Sequence, residues 1–349
     1  MRYKLLGHSG LRVSEFALGT MTFGEEWGFG ASREESRKQF DLFAEAGGNF
    51  IDTANRYTEG TSERIVGEYI AADRDHWVLA TKYTLFDRTG DPNFAGNHRK
   101  NMQRSVEASL KRLNTDTIDL LWLHAWDATT PVDEVLRGLD DLIRAGKVGY
   151  IGISDTPAWV ISRANTLAEL RGWSRFAALQ VEYSLVERTP ERDLLPMAAA
   201  LDLAVTAWGA LARGVLTGKY RAAAPDEPRR QTGDIPPHHL AIADEVVRIA
   251  ALIGRTPAQV ALAWTRAHHD AHTAPMIPIL GARRTEQLAD NLAAADLVLD
   301  GEHVAALDAI SAISPGFPHE FLSRPYVREL MMSAPDQIDN HRAHYPKRG

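Results

Sequence analysis

Short β-rich apolar runs recur along the chain, each closed by a polar residue or turn and followed by apolar residues at helical spacings of three and four. The runs are EFALGT, NFID, WVLATK, IDLLWLH, VGYIGIS, FAALQVE, LAVTAW and MIPIL, ending near Thr20, Asp52, Lys82, His124, Ser154, Gln180, Trp208 and Leu280. Most steps between run ends are about 26 to 42 residues, the length of a strand, a helix and two loops; the last, about 72, must carry an insertion. Eight such units in series predict an α/β fold, a (β/α)8 TIM barrel.

The remaining segments predict additions to that barrel. Tyr3 to Leu6 and Leu11 to Val13 flank Gly7 to Gly10 as an N-terminal hairpin able to plug the barrel bottom. The insertion before strand 8 holds a Pro-rich loop, Arg221 to Pro237, and a helical stretch, His239 to Leu252, ahead of the barrel helix Pro257 to His268. A helix from Glu302 to Ile310 and a proline-punctuated tail form a C-terminal extension. The expected organisation over 1–349 is one domain, with 1–14 as hairpin, 15–300 as barrel and 301–349 as C-terminal helix and tail.

Composition narrows the chemistry. The charge, 39 Lys plus Arg against 46 Asp plus Glu, is −7, which does not suit non-specific attraction to nucleic acid or anionic membrane. There is no cysteine, so disulfides, thiolate nucleophiles and cysteine metal sites are excluded. The N-terminus has no apolar signal region, and Leu194 to Ala212 contains Pro196 and Asp202, so it reads as a helix end running into a strand. A cytoplasmic protein is expected.

In a barrel of this kind catalytic groups sit where strands end, at the C-terminal face. Asp52 ends strand 2 with Tyr57 five residues on, Lys82 ends strand 3, His124 ends strand 4, Ser154 and Asp155 end strand 5, and Gln180 lies in strand 6. A lone histidine or tyrosine there is ordinarily structural, but a buried Lys and Asp must satisfy each other, and all four groups arrive on one rim. They suit acid catalysis at a carbonyl: Lys82 beside Tyr57 would stabilise phenolate and lower the phenol's pKa, Asp52 would hold Lys82 charged, and neutral His124 would orient the carbonyl oxygen. Electrons must come from a cofactor, since none of these side chains is a redox group.

Three other patterns carry less. Gly28-Phe-Gly30 neither completes a dinucleotide fingerprint nor follows a strand. Gly214 to Tyr220 mimics a phosphate loop but is one residue short and has Tyr where a magnesium-binding hydroxyl is needed. His268, His269 and His272 sit where a helix gives way to a loop, with Asp270 as the nearby carboxylate, and read as a solvated helix end rather than a metal site.

Three long motifs in order resemble the aldo-keto reductase superfamily from Tyr3 to about Asp300. They are Asp52-Thr-Ala-Asn-Arg-Tyr57 with Ser62, Glu63 and Gly67; Ser109-Leu-Lys-Arg-Leu113 leading to Ile118-Asp-Leu-Leu-Trp-Leu-His124; and Gly146-Lys-Val-Gly-Tyr-Ile-Gly-Ile-Ser154. The resemblance implies an NADPH-dependent carbonyl reductase with Tyr57 as acid, Lys82 and Asp52 tuning it, and His124 positioning the substrate. It also implies that Gly19, Thr20 and Met21 lie by the nicotinamide ribose and Ser154, Asp155 and Gln180 by the carboxamide, with Trp208 stacked on the ring. Gly209, Ala210, Leu211, Ala212, Arg213, Gly214 and Lys219 would cover the pyrophosphate; Gly281, Ala282, Arg283, Gln287, Asp290 and Asn291 would form the adenosine site, with Arg283, Arg229 and Arg284 candidates for the 2'-phosphate.

Trp208 and the spacing from Lys219 to Arg229 resemble the potassium-channel β-subunit branch and its bacterial relatives, which implies an alternative role as a redox-sensing NADP(H)-binding regulatory subunit. Asp155 stands where the family usually has Asn, and Asp290 where Glu is usual; the shorter Asp290 is expected to leave adenine to Gln287 and Asn291. An ionised Asp155 is expected to favour bound NADP+ over NADPH. Phe23, Trp27, Phe86 and Trp126 on rim loops, with Phe317 and Phe321 in the tail, predict an apolar-walled substrate pocket, and Asp87 to Asn97 a partial lid. The expected partner is a small-molecule carbonyl or alcohol, with neither nucleic acid nor membrane; no pattern bears on an oligomer.

Overall fold

The computed structural model describes residues 1–220, 235–267 and 274–339. An antiparallel hairpin of β1 (Tyr3–Leu5) and β2 (Arg12–Ser14) precedes eight parallel strands: β3 (Ala17–Gly19), β4 (Phe50–Asp52), β5 (Val78–Tyr83), β6 (Ile118–Leu123), β7 (Val148–Ser154), β8 (Ala178–Glu182), β9 (Ala204–Trp208) and β10 (Met276–Leu280). They close into a barrel in which β10 pairs with both β9 and β3. All eight apolar runs read from sequence are these strands, and the fold is the (β/α)8 barrel they predict.

The helices are α1 (Arg33–Glu45), α2 (Thr61–Ile70), α3 (Arg99–Leu113), α4 (Val132–Arg144), α5 (Ala158–Arg171), α6 (Leu194–Ala200), α7 (Pro237–Leu252), α8 (Pro257–Ala267), α9 (Thr285–Leu292), α10 (Gly301–Ile310), α11 (His319–Leu322) and α12 (Pro325–Met332). Local signals set their bounds. Ser32 caps α1 by accepting from the Glu35 N–H, Asn114 closes α3 in a left-handed conformation, and Gly172 does the same for α5. In α4 the buried Val132, Val135, Leu136, Leu139 and Leu142 form one stripe against the barrel. The expected insertion contains α7, which packs on α8, on α10 and on the turn Ala212–Thr217. Among the described residues, no single helix is long and apolar enough to cross a membrane.

Strand alternation decides what fills the barrel. Phe50, Val78, Ala80, Leu120, Trp122, Ala178, Ala204 and Ile277 form one buried cluster with Leu6 and Val13 of the hairpin segment, so the barrel bottom is plugged. The intervening Ile51, Leu79, Leu121, Ile153, Val181 and Val205 belong to the clusters beneath the helices. Side chains two residues further along an inward row stay inward. Asp52 therefore stands above Phe50, Lys82 above Ala80, His124 above Trp122, and Gln180 above Ala178. The fully buried Trp122 needs Gly152 beside it, since a Cβ there would lie 2.3 Å from the indole.

Candidate active site

Lys82 lies at the centre of the polar layer. Its ammonium donates to Asp52 Oδ2 at 2.5 Å, to the Thr53 carbonyl at 2.8 Å and to the Tyr57 hydroxyl at 3.0 Å. Gln180 Nε2 donates to the other Asp52 oxygen at 3.0 Å. Both ions are buried, so the pair is stable only because the remaining acceptors and donors are matched. Burial pulls the Lys82 ammonium down, but the Asp52 carboxylate and the Tyr57 oxygen outweigh it and hold Lys82 above its ordinary value.

Tyr57 reaches this layer from a turn rather than a strand. After β4 the Asn55 N–H donates to the Lys82 carbonyl and the Tyr57 N–H to the Ala54 carbonyl. Thr58, Glu59 and Gly60 then adopt left-handed conformations in succession before α2 begins. Burial pushes the Tyr57 phenol up, Lys82 pulls it back, and Asp52 adds to the rise; the net shift is upward. This corrects the expectation of a lowered value: the lysine acts in the expected direction, but its charge is shared with Asp52 and burial prevails.

His124 meets Tyr57 edge-on, with ring centroids 6.1 Å apart. Burial, aided by Lys82, pulls its pKa down to about 3, so the imidazole is neutral at physiological pH. Its Nδ1 is buried and has no hydrogen-bond partner among the described residues. Trp27 approaches Tyr57 edge-on at 6.4 Å, and Phe86 is exposed on the β5–α3 loop. Trp126 packs half-buried against the helix-side core. Phe23 corrects its assignment as a pocket wall: its side chain is fully buried among Phe16, Leu18 and Phe40, because the chain turns back at Phe23 to bridge Ala31. Phe317 and Phe321 pair with each other, exposed on the tail. In the Asp87 to Asn97 loop, Asn97 is buried and donates to Thr84 and the Ala125 carbonyl, which ties down one end.

The other strand-end groups lie on the same rim. Asp155 sits in a left-handed conformation just past Ser154 and lines a cleft with Trp208. It is exposed towards the open cleft yet sunk among protein atoms on its other sides, and burial pushes its carboxyl up. A cleft of about 380 Å³ opens between Asp155, Trp208, Glu182, Pro190 and Leu194. A groove of about 450 Å³ lies away from the rim, between α3 and α4, where Arg104 and Lys147 are paired with Asp87 and Glu107.

Past Trp208 the chain is left-handed at Gly209 and again over Ala212, Arg213 and Gly214, with Ala210 in the core and Leu211 packed on it. A Cβ on Gly214 would lie 2.5 Å from Lys219 Cε, so the lysine crosses a bare backbone. Met21 is half-buried, and Thr20 is fully buried with its hydroxyl on the Asp52 carbonyl. A Cβ on Gly19 would collide with Ile279, which marks the close approach of β3 and β10. After β10, Gly281 is open, Ala282 is buried, and the Arg283 N–H donates to Gln287. Asn291 is buried nearby on α9. Asp290 accepts from the hydroxyl of Thr256, just before α8, and from Gln259 Nε2 on α8. Arg229, His268, His269 and His272 lie outside the described residues. Among the described residues, no group of three or more His, Cys, Asp or Glu could hold a metal ion.

A buried Lys–Asp pair hydrogen-bonded to a tyrosine, with a neutral histidine facing it at the strand ends, is an acid–base layout. The model of the aldo/keto reductase family matches residues 15–312. This chain belongs to that family. It is 38% identical over 330 residues to a norsolorinic acid reductase of Aspergillus flavus, covering 91% of this chain and 83% of the relative. Identity is 40% over 327 residues with norsolorinic acid reductase stcV of Emericella nidulans, 90% and 82% of the two chains. It is 36% over 337 residues with an NADP+ aryl-alcohol dehydrogenase of Phanerodontia chrysosporium, 89% and 86%. This aldo/keto reductase is thus an oxidoreductase. The relatives are fungal, and they do not carry the placement in a bacterial branch near the potassium-channel β-subunits.

Several groups of this aldo/keto reductase site were not read from sequence. The Thr53 carbonyl is the third acceptor of Lys82, and the hydroxyls of Thr53 and Ser62 join that of the expected site residue Thr20 in a buried cluster under the turn that carries Tyr57. Glu63 is buried between Thr81 and Arg112. Ser62 and Glu63 stand in the first motif, so the signal was present without its partners. Arg56 stands in the same motif without its partner Glu59, which lies two residues beyond Tyr57 and outside it.

Proposed function

We propose that the protein reduces an aldehyde or ketone to an alcohol with NADPH, as one barrel domain, with Tyr57 as the proton donor. The observation that carries this reading is the 3.0 Å hydrogen bond from the buried Lys82 ammonium to the Tyr57 hydroxyl, with Asp52 behind it. When bound, NADPH would supply the hydride. Tyr57, protonated at neutral pH because its pKa is raised, gives its proton to the developing alkoxide oxygen. The phenolate left behind is buried, and Lys82 Nζ, already donating to that oxygen, neutralises it without reorganisation. Asp52 keeps Lys82 charged and aimed, and His124, uncharged, is placed to hold the carbonyl oxygen against Tyr57.

The residues present fit the cofactor. The bare crossing of Lys219 over Gly214 and the open ground before Gly281 suit phosphate and adenosine, and Arg283 and Arg284 supply guanidinium groups for a 2'-phosphate. Ser154, Gln180 and Trp208 would hold the nicotinamide end. Trp208 and Lys219 support the finer placement beside the potassium-channel β-subunit-like members. A cytoplasmic protein acting on a small-molecule carbonyl or alcohol completes the reading. Single-turnover loss of NADPH absorbance is expected with members of an aldehyde and ketone panel, NADH run in parallel; no oxidation with any member would overturn it.

Asp155 adds a prediction on the cofactor itself. Its carboxyl lines the cleft beside Trp208, and in its ionised form it places a negative charge beside the nicotinamide position. Asp155→Asn is expected to shift the ratio of NADP+ to NADPH dissociation constants severalfold, against NADP+, because the cation loses a nearby negative charge. Titration of both nucleotides by tryptophan quenching reads the ratio, and an unchanged ratio means Asp155 is a neutral replacement.

A further inference from the structure

Two rim loops and the catalytic turn are tied together by side chains outside the acid–base group. The Glu59 carboxylate accepts from Trp27 Nε1 at 3.2 Å through one oxygen and pairs with Arg56 Nη1 through the other. The Arg56 guanidinium lies 4.7 Å from the Phe86 ring centroid and 6.0 Å from that of Trp27. Trp27 belongs to the β3–α1 loop and Phe86 to the β5–α3 loop, and Arg56 adjoins Tyr57. Two more bonds join the Trp27 loop to the same turn: Thr58 Oγ1 donates to the Phe23 carbonyl at 2.7 Å, and Thr61 Oγ1 bonds to Glu26. Glu59 can face Trp27 because the backbone is left-handed at Thr58 (φ 45°) and Glu59 (φ 55°), a strained conformation that persists where the surroundings fix it.

We propose that Arg56 and Glu59 are positioning residues that set Trp27 as one wall of the substrate pocket, and that this pair thereby decides which carbonyl compounds reach Tyr57. The inference rests on the reading of Tyr57 as the proton donor. Glu59 fixes the indole through its N–H, and Arg56 fixes Glu59 while bracing the opposite loop through Phe86. The ring edge facing Tyr57 then keeps one distance from the hydroxyl. A bulky flat carbonyl compound depends on that distance, and a small aliphatic one does not. Arg56 is neutralised by Glu59, so its task is mechanical rather than to attract an anion.

The test uses the full chain with propanal, 2-naphthaldehyde and 4-carboxybenzaldehyde, and Glu59→Ala, Glu59→Gln, Arg56→Met and Trp27→Phe. Glu59→Ala and Arg56→Met are expected to raise KM for 2-naphthaldehyde by about fivefold or more, with kcat, the KM for propanal and NADPH affinity changed less than about twofold. Glu59→Gln, which keeps an acceptor for Trp27, should fall between Glu59→Ala and the wild type. In the Trp27→Phe background, which has no N–H for Glu59, the Glu59→Ala increment should vanish, a non-additivity that general destabilisation does not produce. Equilibrium titration of 2-naphthaldehyde into the NADP+ complex reads the same ordering without turnover, so failure of the reductase reading leaves the positioning readout intact. An unchanged KM and dissociation constant in folded Glu59→Ala and Arg56→Met overturns the proposal. So does an increment that persists in the Trp27→Phe background, or an Arg56→Met effect confined to 4-carboxybenzaldehyde, which would make Arg56 a direct substrate contact.

Discussion

Tyr57→Phe is expected to lower kcat for carbonyl reduction by about 10²- to 10⁴-fold, the usual contribution of a positioned acid, with NADPH affinity little changed. The substitution removes one hydroxyl and leaves the ring against Trp27 and His124, so the pocket keeps its shape. Lys82 loses one of three acceptors but keeps Asp52 and the Thr53 carbonyl, so the ion pair survives and the folded state with it. The pH dependence follows from the direction of the shifts. Tyr57 lies above its ordinary value of 10.0, so the proton is present across the neutral range, and reduction is expected to be flat from about pH 6 to 9. Alcohol oxidation needs phenolate and should rise with pH over the same range. His124, at about 3, adds no inflection near the ordinary histidine value of 6.5. Stopped-flow absorbance at 340 nm in both directions measures these profiles, and a wild-type rate retained by Tyr57→Phe removes Tyr57 from the role.

The barrel could be read from sequence because its inward rows are written in alternation. Phe50 and Asp52, Ala80 and Lys82, Trp122 and His124, and Ala178 and Gln180 each place an apolar or small residue below a polar one on the same face. The polar layer is therefore visible once eight strands are counted. What alternation cannot show is depth. Tyr57 sits on a turn, and whether burial or Lys82 governs its pKa depends on how far that turn sinks into the rim. Phe23 and Trp27 are four residues apart on one loop, and only the bridge from Phe23 to Ala31 sends one into the core and the other towards Tyr57. Asp290 finds its partners at the start of α8, at Thr256 just before it and Gln259 within it, a pairing set by helix packing rather than by local pattern. The left-handed turn at Thr58 and Glu59 has glycine only at its third position, so the contact between Glu59 and Trp27 left no turn signature.

Lys82→Met should be the most damaging single change, because it strikes folding and chemistry together. It leaves Asp52 buried with Gln180 as its remaining side-chain donor, and breaking a buried ion pair by removing one partner typically costs about 3–5 kcal/mol. The urea midpoint of unfolding should fall accordingly. Adding Asp52→Asn removes the stranded charge while keeping an oxygen for Gln180, so the double variant should recover most of the lost stability. Activity should not return with it. The methionine cannot donate to the Tyr57 oxygen, phenolate would form in a buried site with no cation beside it, and the phenol would rise further above its already raised value. The double variant is thus expected to be folded, to bind NADPH and to reduce carbonyls at a rate comparable to that of Tyr57→Phe. Recovery of stability and rate together would mean that the pair serves the fold alone. A stable Lys82→Met single variant would mean that Asp52 takes up a proton instead, which a rise in stability towards acid pH would reveal, since a carboxyl with a raised folded pKa favours the native state as pH falls.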